Sequence, residues 1–419
     1  MNDVTVRRMR VAILSQTYFP EPDPKMQILA AGLVERGHTV TTITAFPNYP
    51  AGKIYPGYRQ RPWQREKIDG VEVVRLPIYP DRSRSPIRRS ANYLSFPAVA
   101  SLLGPVLSGP MDVLLVYHPP LTLGIPAWII SRLRRAPFVF EIQDMWPETL
   151  PATGMVDNAA VLGALARLGT FVYRKAAAIT VISPGFRKNL IDKGVAVGKI
   201  HVFPNWAYEG MYETVARDDS LAREFGLAGR FNVMYAGNFG PAQDLDNVLK
   251  AAVLLRDLPE VQFVLLGDGV EQADLETAAR TRGITNVRFI PRQPMRDMPS
   301  WYAWADALLV HLRDDPLFAI TIPGKTQSSL ASGRPVIACV RGDAADLVLE
   351  ADAGLAAEPS NPKSLADAVR RMRGLSEEQR AVLGAAGRRY YREHLAPDVL
   401  IGRYERLLAD VVTAAAAAR

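Results

Sequence analysis

Short apolar runs rich in β-branched residues alternate along this chain with stretches whose apolar positions recur at helical spacing. Val11–Leu14 predicts a strand, and Met26 to Arg36 an amphipathic helix that stops at Gly37-His38. Thr39–Thr44, Val71–Leu76, Val113–Tyr117, Phe138–Ile142 and Ile179–Ile182 continue the strand series. The pattern restarts after Phe203-Pro204-Asn205, with strands expected at Asn232–Tyr235, Gln262–Leu266, Val287–Ile290, Ala307–His311 and Pro335–Cys339. Helices are expected at Asp244–Arg256, Gln272–Arg282 and Pro299–Ala305. Near-continuous apolar runs such as Phe263-Val264-Leu265-Leu266 suit parallel strands covered on both faces, and helical crossovers between strands imply a doubly wound sheet.

The expected fold class is therefore α/β, with two Rossmann-like doubly wound parallel-sheet domains facing each other across a cleft. Residues 1–205 form the first domain and 206–395 the second, with a linker near 203–208. Residues 396–419 are expected as a C-terminal helix packing back toward the first domain, with Leu400, Tyr404, Leu407 and Leu408 as its apolar positions. In sheets of this kind ligands bind outside the carboxyl ends of the strands, so motifs directly after strands carry the most weight.

A length of 419 residues exceeds what one hydrophobic core supports, in keeping with two domains. With 48% hydrophobic and 22% charged residues, the composition is that of a globular protein and not of a disordered or fibrous chain. The single cysteine, Cys339, excludes an intramolecular disulfide framework and a multi-cysteine metal site, and reads as a small core residue. The apolar run after the three N-terminal arginines is too short for a signal-peptide core. Phe96 to Pro110 is broken by proline, glycine and serine, so no transmembrane helix is expected. The expected location is cytoplasmic, with peripheral contact to the inner face of the plasma membrane.

Charge sharpens that last expectation. Residues 1–200 hold 25 Lys and Arg against 14 Asp and Glu, a net +11, whereas residues 201–419 hold 25 against 29, a net −4. The excess gathers at Arg59, Arg61, Arg65 and Lys67, and again at Arg82, Arg84, Arg88 and Arg89. These are either two solvated basic loops or a surface attracted to anionic lipid headgroups or a diphosphate-bearing substrate. Tyr55, Tyr58, Trp63 and Tyr93 accompany them, as membrane-facing aromatics or as interdomain packing. No recognition module goes with the charge, which argues against nucleic acid.

Three segments carry candidate chemistry. Ala236-Gly237-Asn238-Phe239-Gly240-Pro241-Ala242-Gln243-Asp244-Leu245 follows a strand and reads as a glycine-containing turn opening a helix. It is either a diphosphate cradle, using close backbone approach and free helix N–H groups, or an ordinary strand-to-helix turn. Gly267-Asp268-Gly269 ends a second strand. Gln272 stands where a G-x-G-x-x-G fingerprint needs its third glycine, which argues against a nicotinamide or flavin dinucleotide. In Thr321-Ile322-Pro323-Gly324-Lys325-Thr326-Gln327, Ala319 replaces the first glycine of a P-loop, so that reading fails. Lys325, set at a helix start by Pro323, either neutralises a pyrophosphate without metal or sits at a solvated turn. The five histidines and one cysteine show no ligand spacing, and no metal or cofactor is expected.

Taken together, these motifs resemble the family-4 retaining glycosyltransferases of the GT-B fold, in particular bacterial WbuB-like enzymes of O-antigen, capsule and exopolysaccharide assembly. In the first half the resemblance rests on Tyr18-Phe19-Pro20, Gly37-His38-Thr39-Val40, Phe46-Pro47-Asn48-Tyr49-Pro50, Gly52-Lys53-Ile54-Tyr55, Ile68-Asp69-Gly70-Val71, His118-Pro119-Pro120-Leu121-Thr122 and Asp144-Met145-Trp146-Pro147-Glu148. In the second half it rests on Tyr235-Ala236-Gly237-Asn238, Gly267-Asp268-Gly269, Ile322-Pro323-Gly324-Lys325 and Ala331-Ser332-Gly333-Arg334-Pro335-Val336.

The resemblance implies a nucleotide-diphosphate sugar donor, with UDP as the nucleotide, on the C-terminal domain. Gly237, Asn238, Gln243, Gly267, Gly269 and Lys325 would hold the diphosphate side. Arg292 and Gln293 would lie against the base, and Gln327 and Ser328 near the ribose. It implies a glycan or polyprenyl-diphosphate acceptor on the N-terminal domain, at Tyr18, Phe19, Asn48, Tyr49 and His118. Lys325 and Asp144 are the implied catalytic residues, Asp144 facing the transferred sugar; read from its turn alone, Asp144 is equally a helix N-cap. The chain departs from the family pattern at Ile320 and Ser328, where many members carry two glutamates. It departs again at Asp23-Pro24 in place of loop glycines, and at Asn238 or Gln243 in place of a basic residue. A sugar-nucleotide epimerase of similar fold, or a nucleotide-sugar-binding protein without turnover, are the competing readings.

Overall fold

The computed structural model describes residues 7–83, 85–152, 156–207 and 215–419. Arg84 of the second basic cluster and Tyr208 at the end of the expected linker lie outside them. The chain divides into two compact units. One comprises Met1–Ile182, Phe186–Phe203 and Pro397–Arg419; the other comprises Ser183–Gly185 and Pro204–Ala396.

The first unit is built on strands β1 (Arg10–Ser15), β2 (Thr39–Ala45), β3 (Gln64–Ile68), β4 (Val71–Leu76), β5 (Val113–His118), β6 (Phe138–Ile142), β7 (Ala178–Val181) and β8 (Ile200–Val202). Their order in the sheet is β3-β4-β2-β1-β5-β6-β7-β8. All pairs are parallel except the edge hairpin, where β3 runs antiparallel to β4. β1 lies at the centre, Leu14 opposite Ile43 and Val116. Helices α1 (Lys25–Glu35), α2 (Pro86–Leu107), α3 (Gly124–Arg134), α4 (Thr149–Ala152), α5 (Ala159–Lys175) and α6 (Pro184–Asp192) connect them.

α2 contains Pro97 and Pro105, yet it continues for 22 residues. Pro97 has no N–H for the carbonyl of Tyr93, and Thr122 Oγ1 donates to that oxygen instead (2.7 Å). No helix among the described residues is long and apolar enough to cross a membrane.

The second unit holds β9 (Phe231–Asn238), β10 (Val261–Asp268), β11 (Val287–Ile290), β12 (Ala307–His311), β13 (Val336–Cys339) and β14 (Gly354–Ala357), in the order β11-β10-β9-β12-β13-β14 and parallel throughout. Its helices are α7 (Asp219–Phe225), α8 (Leu245–Leu254), α9 (Gln272–Thr281), α10 (Met298–Ala303), α11 (Pro316–Ala319), α12 (Gly324–Ser332), α13 (Asp343–Glu350), α14 (Pro362–Gly374) and α15 (Glu377–Tyr390). One sheet face buries Val233, Tyr235, Phe263 and Leu265 in a core shared with α8 and α14. Met234, Val264, Leu266 and Leu308 point the other way, against Trp301 and Trp304. This two-sided burial is why the strands read as apolar runs.

The last helix, α16 (Pro397–Ala417), belongs to the first unit. Leu400, Tyr404 and Leu408 are buried there. Glu405 accepts from Arg36 (3.2 Å) and from His38 Nε2 (2.7 Å), whose Nδ1 accepts from the Met9 N–H. Arg403 donates to Val202 O (2.7 Å).

One sequence expectation changes and a second is refined. Arg65 and Lys67 are not in a loop but on β3, where charge suits an unpaired sheet edge; Arg88 and Arg89 are in α2. The Gly237 turn opens a helix as expected, but not directly after the glycine. β9 continues through Asn238, a 3-10 turn follows at Pro241–Gln243, and α8 starts only at Leu245, after Asp244 in the left-handed region (φ 46°).

Candidate active site

Alternation along β9 puts Val233, Tyr235 and Gly237 on one face of the sheet. The first two are buried, and the missing side chain at Gly237 leaves space above the Tyr235 ring. Lys325, second residue of α12, occupies the edge of that space. Its Nζ donates to Tyr235 Oη (2.6 Å) and lies 4.0 Å from the ring centroid. Tyr235 Oη in turn donates to Asn238 O (2.7 Å). A Cβ at Gly237 would come within 3.2 Å of both Lys325 Nζ and Tyr235 Oη, at a φ of +154° that side chains rarely adopt. α12 starts at Pro323 without a capping side chain. Among the described residues no carboxylate pairs with Lys325, and burial pushes its ammonium down to about 7. The arrangement is a cation and a helix N-terminus beside bare backbone, suited to an anion.

The neighbouring glycines answer to backbone packing. Gly267 stands opposite Gly237 in the ladder, and a Cβ on it would fall 1.8 Å from Gly237 O. One on Gly269 would fall 2.2 Å from Phe239 O. Asn238 Nδ2 donates to Gln243 Oε1 (3.2 Å). The loop between them is tied to β12 by His311, whose Nδ1 donates to Gln243 O (2.7 Å) while Nε2 accepts from Asn247 (2.9 Å). Burial holds His311 near 4, so its imidazole is neutral. Arg292 pairs with Asp268 (3.2 Å) at the exposed ends of β10 and β11, and Gln293 donates to Pro291 O (3.0 Å).

Gln327 and Ser328 lie apart from this group. Gln327 is fully buried, its amide nitrogen placed to donate to Pro323 O (2.9 Å), and Ser328 Oγ donates to Gly324 O (3.2 Å). Both side chains donate back to carbonyls at the start of α12 and cap none of its free N–H groups. Ile320 is covered as well: Ser183 Oγ donates to its carbonyl (2.5 Å).

In the first unit, Glu21 organises the loops after β1 and β2. Its buried carboxylate accepts from the N–H groups of Tyr18 (3.0 Å), Asn48 (2.8 Å) and Tyr49 (2.7 Å). Burial outweighs these bonds and raises its pKa. Tyr18 and Asn48 are themselves buried, Asn48 donating to Phe46 O (3.0 Å). Phe19 is exposed, and the Tyr49 ring lies under Arg82 (4.3 Å). His118 is buried against Trp146 (5.7 Å) and Phe140 (5.8 Å), and burial pushes it down to about 3. Asp144 follows β6; burial raises its pKa, and its carbonyl accepts from Trp146 N–H (3.0 Å). Its N-cap reading fails, because the next helix, α4, begins five residues on at Thr149. Of the aromatics near the basic clusters, Tyr58 is covered by Arg75 (4.8 Å) and Tyr55 donates to Tyr49 O (2.6 Å), leaving Trp63 exposed.

Tyr235, His311 and Glu21 are the members that sequence reasoning missed. The i, i+2 relation of Tyr235 to Gly237 was the available signal for the first.

Two family models match the chain: one described as "Glycosyl transferase 4-like domain" over residues 25–206, and one described as "Glycosyl transferases group 1" over residues 230–373. The "Putative colanic acid biosynthesis glycosyl transferase WcaI" of Escherichia coli (strain K12) is 30% identical over 312 residues, covering 72% of this chain and 75% of that protein. The "GDP-mannose-dependent alpha-mannosyltransferase" of Mycobacterium tuberculosis (strain CDC 1551 / Oshkosh) is 26% identical over 418 residues, 97% of this chain and 99% of its own. Among solved structures, Anabaena HepE in complex with UDP matches with a TM-score of 0.70 at 17% identity, over 96% of this chain and 100% of that one. Two parallel-sheet units with this site and these relatives define a GT-B glycosyltransferase. The chain belongs to the family-4 glycosyltransferases.

Proposed function

We propose that the protein transfers a sugar, as a hexosyl or N-acetylhexosaminyl group, from a UDP-linked donor to a hydroxyl of a glycan or polyprenyl-diphosphate-linked acceptor in cell-surface polysaccharide assembly, with retention of anomeric configuration. The observation that carries this reading is the meeting of Lys325, Tyr235 and bare backbone at Gly237. In the reaction the C1–O bond to the β-phosphate breaks and the electron pair leaves on the diphosphate. The acceptor oxygen bonds C1 from the same face, and its proton passes to the departing phosphate oxygen. Lys325 stabilises the charge that builds on that oxygen, aided by N–H groups of the α12 first turn, and the step then needs no metal. Arg292 is assigned to the base side of the donor.

On the N-terminal unit, Asp144 is assigned to the hydroxyls of the transferred sugar, and Phe19, whose ring is exposed, and Tyr49, half-buried under Arg82, to the acceptor. UDP is favoured by the HepE complex, whereas the mycobacterial relative is named for GDP-mannose; both share the diphosphate that Lys325 would read.

Saturation-transfer NMR with UDP-, GDP-, ADP- and dTDP-sugars tests the donor: signal from a UDP-sugar is expected, and silence across the panel in folded protein sinks the reading. With the donor in hand, Lys325→Ala should slow turnover by roughly 10²–10³, and EDTA should leave the wild-type rate unchanged.

A further inference from the structure

We propose that a four-arginine cavity at the far end of α12 from Lys325 binds the phosphate dianion, free or as a small monoester. The inference stands on residues of the second unit alone and does not depend on the transfer reaction.

α12 carries Lys325 at its start and ends at Ser332, where Gly333 closes it in the left-handed region (φ +74°). Arg334 and Pro335 then lead into β13, and Asp306 immediately precedes β12. These residues lie at the amino ends of the strands, on the opposite edge of the sheet from Gly237 and Lys325. With Arg217 and one face of α15 they line a cavity of about 300 Å³, at the lower end of the range for small-ligand sites. Backbone contact fixes its walls: a Cβ on Gly384 of α15 would fall 2.0 Å from Gly333 O.

Charge identifies the ligand. Arg217, Arg334, Arg380 and Arg388 line the space against two carboxylates, Asp306 and Glu377, an excess of two positive charges. Arg217 and Arg334 converge on one acceptor, Arg217 Nε (3.0 Å) and Arg334 Nη2 (2.7 Å) both donating to Ala303 O. A single neutral carbonyl thus holds two like charges together. Asp306 offsets them only in part, since one of its oxygens accepts from Asn232 N–H (2.8 Å) and the other lies 3.5 Å from Arg217. Among the described residues no carboxylate pairs with Arg334, and burial together with Arg217 holds its guanidinium below the ordinary arginine value. Arg388 crosses Gly333, its Cδ 3.4 Å from where a Cβ would stand. Arg380 is steadied over the Phe231 ring (5.2 Å) and by Leu375 O (2.5 Å). Guanidinium forks match phosphate oxygens bidentately, and a phosphate monoester carries about −1.5 to −2 charges at pH 7, the charge this cavity lacks. A carboxylate monoanion would leave part of the excess unpaired, and a neutral sugar all of it.

Isothermal calorimetry on the full chain tests the proposal, with inorganic phosphate and glucose 6-phosphate as probes and glucose as the neutral control. Both probes are expected to bind and glucose to give no heat. Equal affinities would assign the ligand as phosphate itself, and tighter glucose 6-phosphate as a monoester. Arg334→Gln and Arg217→Gln should each weaken binding at least about tenfold, the loss of one charge-assisted fork. Glu377→Gln removes a competing acid from the exposed first turn of α15 and should tighten binding about twofold to fivefold, a gain that damage to the fold does not produce. Lys325→Gln should retain the binding, which separates this cavity from the donor site, and so should Arg280→Gln, an exposed change on α9. Circular dichroism spectra should match in every variant. Absence of heat with both probes in the wild type would overturn the proposal. Binding that Lys325→Gln abolishes and Arg334→Gln leaves intact would also overturn it, and would place the anion at Lys325 instead.

Discussion

Lys325 gives the proposed donor site a proton balance that can be counted. Free, its ammonium titrates near 7 because burial disfavours the charge and no carboxylate among the described residues compensates. A donor diphosphate against Nζ supplies the missing counter-charge and returns the pKa toward its ordinary value. Binding should therefore take up about 0.5 proton at pH 7 and about 0.9 at pH 8, and the donor Kd should rise about fivefold between those values. A sugar-linked diphosphate does not itself titrate in this range. The effect on folding has the opposite sign. Between about 7 and the normal lysine value the unfolded chain holds the proton that the folded chain has released, so Lys325 makes the unliganded protein more stable as pH rises through that window. Calorimetry in two buffers of different ionisation enthalpy reads the uptake from the difference in observed heat. Lys325→Gln should abolish both the uptake and the pH dependence of Kd. Uptake below about a tenth of a proton at pH 8, with a flat Kd, would refute the placement of the diphosphate at Lys325.

Three further perturbations follow from named contacts. Tyr235→Phe removes the hydroxyl that receives Lys325 and holds Asn238 O, and should raise donor KM about tenfold while the fold persists; unchanged donor kinetics would show that Tyr235 does not position the lysine. Gly267→Ala forces a methyl onto Gly237 O and should cost about 2–4 kcal/mol by urea denaturation, a loss below half of the lower figure counting against the rigid approach of β9 and β10. Glu21→Ala leaves three buried N–H groups without their acceptor. It should cost about 3 kcal/mol and speed hydrogen exchange at Asn48 and Tyr49, whereas unchanged exchange would mean the loops are held otherwise.

Much of the fold is legible in the chain because central parallel strands must be apolar on both faces, as Val11–Leu14 and Phe263–Leu266 are. The edges are not. β3 reads Gln-Arg-Glu-Lys-Ile because it has one neighbour and faces solvent, and β14 reads Gly-Leu-Ala-Ala, with no β-branched residue to mark it. The site divides the same way. Pro323-Gly324-Lys325 announces a helix start with a cation. That Lys325 meets a tyrosine 90 positions earlier is a consequence of the parallel pairing of β9 with β12, the strand that precedes α11 and α12, which no local pattern encodes. Gln327 and Ser328 stand on the expected helix. Which face they occupy depends on how α12 packs, and the packing turns them inward.

The return of α16 to the first unit has a consequence for synthesis. The second unit is an uninterrupted stretch from Pro204 to Ala396 apart from Ser183–Gly185, and all of it is translated before the helix that covers α1. Until Tyr404 and Leu408 emerge, the first unit waits with part of its apolar surface bare and with Arg36 and His38 lacking Glu405. The half of the molecule translated first is thus the half completed last. A nascent chain stalled before Tyr404 and Leu408 emerge would carry an open N-terminal unit, a state that chaperones and proteases can distinguish from the native protein.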